Sequence, residues 1–160
     1  MTAMTSAELS LILQSLGLSD QQAALIFSVR DRTVRRWKAG DSPIPAEVAA
    51  KIGGYDARME SAVRNAVEHF LEADDRPAAV HLLIYATDAD YVRYRPHDDT
   101  PFAAMHRALV DRLRLALQRL DQAVRIVEMR PDDYEAWRTA EGLEDREDTR
   151  AAWAALQIAE

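Results

Sequence analysis

The chain has 160 residues, no cysteine, 48% hydrophobic and 29% charged residues, and a formal net charge of −7. That profile fits one ordinary globular domain or two small ones, and it leaves no disulfide framework and no cysteine-ligated metal site. No apolar run approaches the ~18 residues of a membrane-spanning helix, and the opening MTAMTSAELS lacks the basic region and apolar core of a secretory signal. The acidity argues against a wholly basic nucleic-acid binder, so the distribution of charge matters. Residues 1–52 hold six Lys and Arg against five Asp and Glu, leaving 53–160 with fourteen against twenty-two. Within the first segment, Arg30 to Lys38 carries five cations and one Asp.

In chain order, Thr5 or Ser6 starts a helix with Glu8 in its first turn, where negative charge suits the helix dipole. Leu9, Ile12, Leu13 and Leu16 form its buried stripe, and Gly17 ends it. Ser19 is an N-cap for a second short helix, with Ala23, Ala24 and Phe27 on its apolar face. Ser28-Val29 breaks the run. Asp31 is the next N-cap candidate, Val34 and Trp37 share a face, and Gly40 closes the third helix. Its polar face carries Arg32, Thr33, Arg35 and Arg36. Pro43 and Pro45 stiffen a connector into a fourth helix, PAEVAAKI, with Val48, Ala49 and Ile52 inward.

The stretch from Thr5 to Ile52 resembles the helix-turn-helix of the Cro/Xre family of phage-repressor-like DNA-binding proteins. Ala24 stands at the small helix-crossing position, Val29 and Val34 at buried positions, and WKAG (Trp37–Gly40) at the family's W-[EK]-x-G ending. Ser28 replaces the usual turn glycine, and Leu25-Ile26 is bulkier than the family pattern. The resemblance implies that the third helix enters the major groove. Arg32 and Arg36 would then read bases, with Thr33 on a thymine methyl or a phosphate. Arg30, Arg35 and Lys38, with Ser19 and Gln21 at the second helix N-terminus, would hold phosphates. Trp37 is assigned to the core in preference to base stacking.

Gly53-Gly54 marks an expected break. From Tyr55 to about Asp74, Tyr55, Met59, Ala62, Val63, Ala66, Val67, Phe70 and Leu71 draw an apolar stripe along a long helix, which Asp74-Asp75-Arg76-Pro77 ends. Ala79–Ala86 and Ala123–Met129 read as strands flanking an amphipathic helix over Pro101–Leu120, which gives a βαβ unit with parallel strands. Asp-Tyr recurs after each strand (Asp90-Tyr91, Asp133-Tyr134), with Tyr94 and Trp137 three residues on. Asp88, Asp90, Asp132 and Asp133 are read as helix-capping residues ahead of a paired-carboxylate enzyme site. Glu144–Glu160 forms a last helix with Ala152, Trp153 and Leu156 inward.

The expected fold is therefore mainly α with a small α+β part. It comprises a repressor-like helix-turn-helix bundle (1–53), a connecting helix (54–76) and a βαβ-containing dimerisation domain (77–160). Two strands are too few for an independent sheet, so a partner chain completes them or the surrounding helices cover them, and together with the long apolar helix this argues for a dimer. His69, His81, His97 and His106 are scattered; His97-Asp98-Asp99 with His106 offers metal ligands but no HExxH spacing. No phosphate-cradling glycine loop or nucleophile elbow is present, so no enzyme, metal or cofactor is expected.

The function implied by the resemblance is a cytoplasmic, bacterial or phage transcription regulator. It would be a homodimeric (auto)repressor reading an inverted repeat in double-stranded DNA. By domain layout it is similar to regulators associated with anti-CRISPR operons, which implies autoregulation of a short operon. The rival readings are an antitoxin whose C-terminal domain binds a partner protein, and a ligand-sensing or enzymatic C-terminal domain. RNA stays open as a second target.

Overall fold

Thr5 opens the first helix, α1 (Ser6–Ser15). Its Oγ1 accepts the Glu8 amide at 3.2 Å, and Glu8 Oε2 accepts the Thr5 amide at 2.6 Å. This capping box gives partners to two amides that have none inside a helix. The bond from the Thr5 backbone holds the Glu8 carboxyl below its usual pKa. Ser19 and Gln22 repeat the device at α2 (Asp20–Phe27).

A three-residue turn leads to α3 (Asp31–Ala39), which Gly40 closes in the left-handed conformation at φ 80°. Arg30, not Asp31, is the residue at the helix boundary, in extended conformation. Asp31 is already helical and bonds the Arg32 amide at 2.7 Å, so its carboxylate serves a first-turn donor from inside the helix. Ser28 also takes the left-handed conformation, at φ 55°. A side chain there costs ~1 kcal/mol. Ser28→Gly is therefore expected to raise the unfolding free energy by roughly 0.5–1 kcal/mol, less the entropy glycine adds to the unfolded chain. Urea unfolding measures it, and a stability loss would mean that the serine side chain outweighs the backbone strain.

The next element is one continuous helix of 27 residues, α4 (Ala46–Glu72). The expected break at Gly53-Gly54 does not occur. Each glycine costs ~1 kcal/mol relative to alanine inside a helix. Buried Val48, Ile52 and Met59 lie on both sides of the pair and hold the helix through it. At 1.5 Å per residue, α4 is ~40 Å long.

The structure is a computed structural model that describes residues 3–98 and 101–158. The chain is mainly helical with one two-stranded parallel sheet. It divides into two compact units, Met1–Asn65 and Ala66–Glu160. The first unit packs Leu9, Leu13, Leu16, Val34, Trp37 and Ile52 at its centre. The Phe27 ring meets the Trp37 indole edge-on, with centroids 6.1 Å apart.

In the second unit, β1 (Ala79–Ile84) pairs in parallel with β2 (Ala123–Glu128), Ala79 opposite Ala123 and Ile84 opposite Glu128. Both strands are shorter than the apolar runs, because Tyr85 and Met129 lead out of the ladder into the core. Between them lie α5 (Asp88–Tyr94) and α6 (Ala103–Gln118). After β2 come α7 (Pro131–Ala140) and α8 (Glu147–Leu156). The inward face of α8 is Thr149, Trp153 and Ala154. Ala152 and Leu156, expected inward, are exposed, and Ala159 and Glu160 lie outside the described residues.

The core of this unit is aromatic. Tyr85, Tyr91, Tyr94, Tyr134 and Trp153 gather on Val127 and Met129. Tyr85 stacks on Tyr94 at 6.0 Å, and Tyr134 lies edge-on to Trp153 at 5.9 Å. A buried phenol needs a partner for its hydroxyl. Tyr91 donates to Asp98 at 2.5 Å, Tyr94 to Glu135 at 3.1 Å and Tyr134 to Asp145 at 2.7 Å. Each carboxylate is in turn held by an arginine: Arg95 on Asp98, Arg138 on Glu135 and Arg150 on Asp145. Burial, then the bond to Glu135, pushes Tyr94 up to about 12, and the same causes raise Tyr91 and Tyr134. The phenols stay protonated and keep donating.

Asp88 and Asp90 act in helix capping. Asp90 Oδ2 accepts from the Thr87 hydroxyl, which accepts the Asp90 amide. Asp88 reaches across fifteen residues and accepts the Ala103 amide at 2.8 Å, capping α6 in place of Phe102.

His106 sits within this aromatic cluster, 8% exposed, with its ring 5.3 Å from Tyr85 and 5.2 Å from Tyr91. Its Nε2 lies 3.0 Å from the Leu83 carbonyl, so that nitrogen carries the hydrogen. Its Nδ1 is buried without a partner. Burial lowers its pKa, the Leu83 bond and Asp98 oppose that, and the charges of Arg95 and Arg107 add to it.

The unfolded histidine titrates near 6.5, above the folded one. Between the two values the unfolded chain binds a proton that the folded chain does not. The contribution is therefore full above about pH 6.5 and lost as pH falls below it. Urea midpoints should drop more between pH 7.5 and pH 5 in the wild type than in His106→Gln. Equal drops would show that other groups carry the acid sensitivity.

Candidate nucleic-acid interface

The basic run is displayed by a helix with two opposed faces. Val34 and Trp37 are buried, while Arg32, Arg35 and Arg36 are exposed. Arg32 and Arg36 are one turn apart, so both lie on the outer face. Thr33 is half-buried at its margin, and Arg30 is exposed at the helix entrance. Arg35 is paired with Asp31 at 2.8 Å, yet its side chain remains 60% exposed. An exposed i, i+4 pair of this kind is worth only ~0.3–0.5 kcal/mol, so it yields readily to a stronger anion.

The remaining candidates stand in different settings. Lys38 is engaged by Asp20 at 2.6 Å, tying the last turn of α3 to the first turn of α2. Cation and anion each sit at the helix end that favours them. Ser19 Oγ is committed to Gln22 within its capping box, and Gln21 is exposed beside it. Arg32, Thr33, Arg35 and Arg36 thus share α3 with Arg30 at its entrance, and Ser19 and Gln21 lie at the start of its neighbour.

Two contacts that orient this pair of helices gave no local signal in the sequence. One is the Lys38–Asp20 bridge. The other is Lys51, whose Nζ donates to the Ile26 carbonyl at 2.6 Å and so satisfies the C-terminal end of α2. Both join residues eighteen or more positions apart. Leu25 of α2 is 70% exposed.

Elsewhere, His97 is exposed and Asp99 lies outside the described residues. Among the described residues no group of three or more His, Cys, Asp or Glu is gathered as a metal ion would require. No helix among them is long and apolar enough to cross a membrane.

The chain is thus a mainly helical protein with a small parallel sheet and an arginine-faced helix in its first unit. It belongs to the family described as Domain of unknown function (DUF4447), which matches residues 1–158. No curated protein matches it.

Proposed function

We propose that this chain is a homodimeric, sequence-specific DNA-binding regulator of transcription, acting as a repressor on a nearby promoter in a bacterial or phage setting. The observation that carries the reading is the two-faced α3: Val34 and Trp37 buried, Arg32, Arg35 and Arg36 exposed. α2, the turn at Ser28 and α3 make up the helix-turn-helix of this reading, with α3 in the major groove. Arg32 and Arg36 donate to base edges, joined by Thr33, and Arg30 and Arg35 bind phosphates. Ser19, Gln21 and Lys38 lie where α2 meets the backbone. An acidic chain can carry this basic helix because local potential governs phosphate contact, and its acidic remainder limits non-specific attachment.

The test is binding to labelled double-stranded DNA of random sequence across a salt series. Affinity should fall by roughly tenfold or more between about 50 and 200 mM salt, as expected when several phosphates are neutralised. Absence of binding at the lowest salt would contradict the reading.

A further inference from the structure

The two strands of the sheet are finished differently at their outer edges. The Met129 amide donates to the Ile84 carbonyl at 2.8 Å. Alternation along the strand therefore aims the backbone of Arg125, Val127 and Met129 at β1, and that of Val124, Ile126 and Glu128 away from it. On β1 the outward residues are Ala79, His81, Leu83 and Tyr85. Side chains of α6 cover the last two: His106 donates to the Leu83 carbonyl at 3.0 Å, and Arg107 to the Tyr85 carbonyl at 2.7 Å. On β2, no bond among the described residues ties the outward backbone groups of Val124, Ile126 or Glu128. Ile126 is 40% exposed and lines a groove of about 320 Å³ together with Arg130, Gln157 and Ile158.

We infer that the open edge of β2 is the self-association surface. Two copies pair antiparallel across a two-fold axis at Ile126, giving a four-stranded sheet in the order β1–β2–β2′–β1′. This rests on the homodimer of the reading above, and not on its DNA contacts.

Two observations favour a second copy over a peptide from another protein. First, a two-stranded sheet is too small to stand alone, and one added strand would itself leave a bare edge. A second copy gives four strands whose two outer edges are both the β1 edge, capped at its C-terminal half by His106 on Leu83 and Arg107 on Tyr85. The assembly then closes, as a two-fold interface must.

Second, the charges suit this register. With Ile126 opposite itself, Arg125 faces Val127 and Glu128 faces Val124, so no like charges meet. Sliding by two residues in one direction would set Arg125 against its own copy, and sliding by four in the other would set Glu128 against its own. Both copies also keep their core faces on the same side of the sheet, which a one-residue slip would not.

The absence of cysteine from the chain makes the test clean. Directly opposed residues in such a pair lie ~5.5 Å apart between Cα atoms, within the range a disulfide spans. Ile126→Cys should therefore oxidise to a covalent dimer, whereas Leu115→Cys, equally exposed on α6, should not. Ile126→Pro removes an amide that the β1–β2 ladder does not use, so it should keep the helical spectrum while blocking strand addition. In sedimentation its mass should fall from twice 18.0 kDa to 18.0 kDa.

A folded Ile126→Pro that remains dimeric would overturn the proposal. So would a monomeric wild type, or a dimeric wild type in which Ile126→Cys fails to cross-link. If Ile126→Pro does not fold, the cross-linking result decides. A β2-linked dimer without DNA preference would uphold this interface and count against the DNA reading alone.

Discussion

Trp37→Ala should remove about 3–5 kcal/mol from the first unit, enough to leave it largely unfolded at room temperature. Val34 and Trp37 are the two buried residues of α3, and the Trp37 indole packs edge-on against Phe27. A core of this size has little stability to spare. Loss of the indole also leaves a void that α2 and α3, tied by the Lys38–Asp20 bridge, cannot easily close. Thermal melting followed by circular dichroism checks it. A Trp37→Ala protein that melts like the wild type would make the indole dispensable to the core, as a base-stacking platform would be.

The second large effect is on sequence discrimination. Arg32→Ala and Arg36→Ala should each cost ~1–3 kcal/mol of preference for the selected site, the worth of a good bidentate pair with guanine. Together they should reduce the ratio of specific to non-specific affinity by roughly 30-fold or more, since each ~1.4 kcal/mol is a factor of ten. Neither side chain has a packing role, because both are exposed on the face away from Val34 and Trp37. Stability should therefore be unchanged. Arg30→Ala and Arg35→Ala should instead weaken binding to all sequences alike and flatten the salt dependence. Competition assays with specific and scrambled duplexes separate the two behaviours. An equal loss from all four substitutions would erase the distinction between base and phosphate readers.

The elements that could be read from the sequence are those built on local rules. Ser19 with Gln22, Val34 with Trp37, and Gly40 after Ala39 act within one or two turns, and their spacing alone carries the signal. The two strands and their parallel pairing were legible because a helix-length amphipathic segment separates two β-branched runs. The recurring Asp-Tyr likewise marks α5 and α7, and Tyr91 and Tyr134 are both buried.

What escaped was set by contacts remote in sequence, or by burial outweighing propensity. Gly53-Gly54 reads as a break on propensity, yet Ile52 and Met59 on either side are buried and the helix runs through. Asp88 was legible as a cap but not as the cap of α6, fifteen residues on. The phenol–carboxylate–arginine set on Tyr94 joins residues 41 positions apart, which no local window of sequence contains, and those on Tyr91 and Tyr134 run from a helix into the loop after it, where no periodic spacing marks them. In the candidate interface, the arginine face of α3 was visible in the spacing. The pairing of Arg35 with Asp31 follows from their i, i+4 spacing, whereas that of Lys38 with Asp20 joins two helices and no spacing expresses it.

The most direct measurement is selection of the wild-type protein on a random double-stranded DNA library, with the Arg32→Ala/Arg36→Ala double variant in parallel. The wild type should enrich an inverted repeat with half-sites about one helical turn apart, and the variant should bind weakly, in a salt-sensitive manner, without enrichment. Failure of the wild type to enrich any motif at low salt, or the same motif emerging from both proteins, would contradict the account.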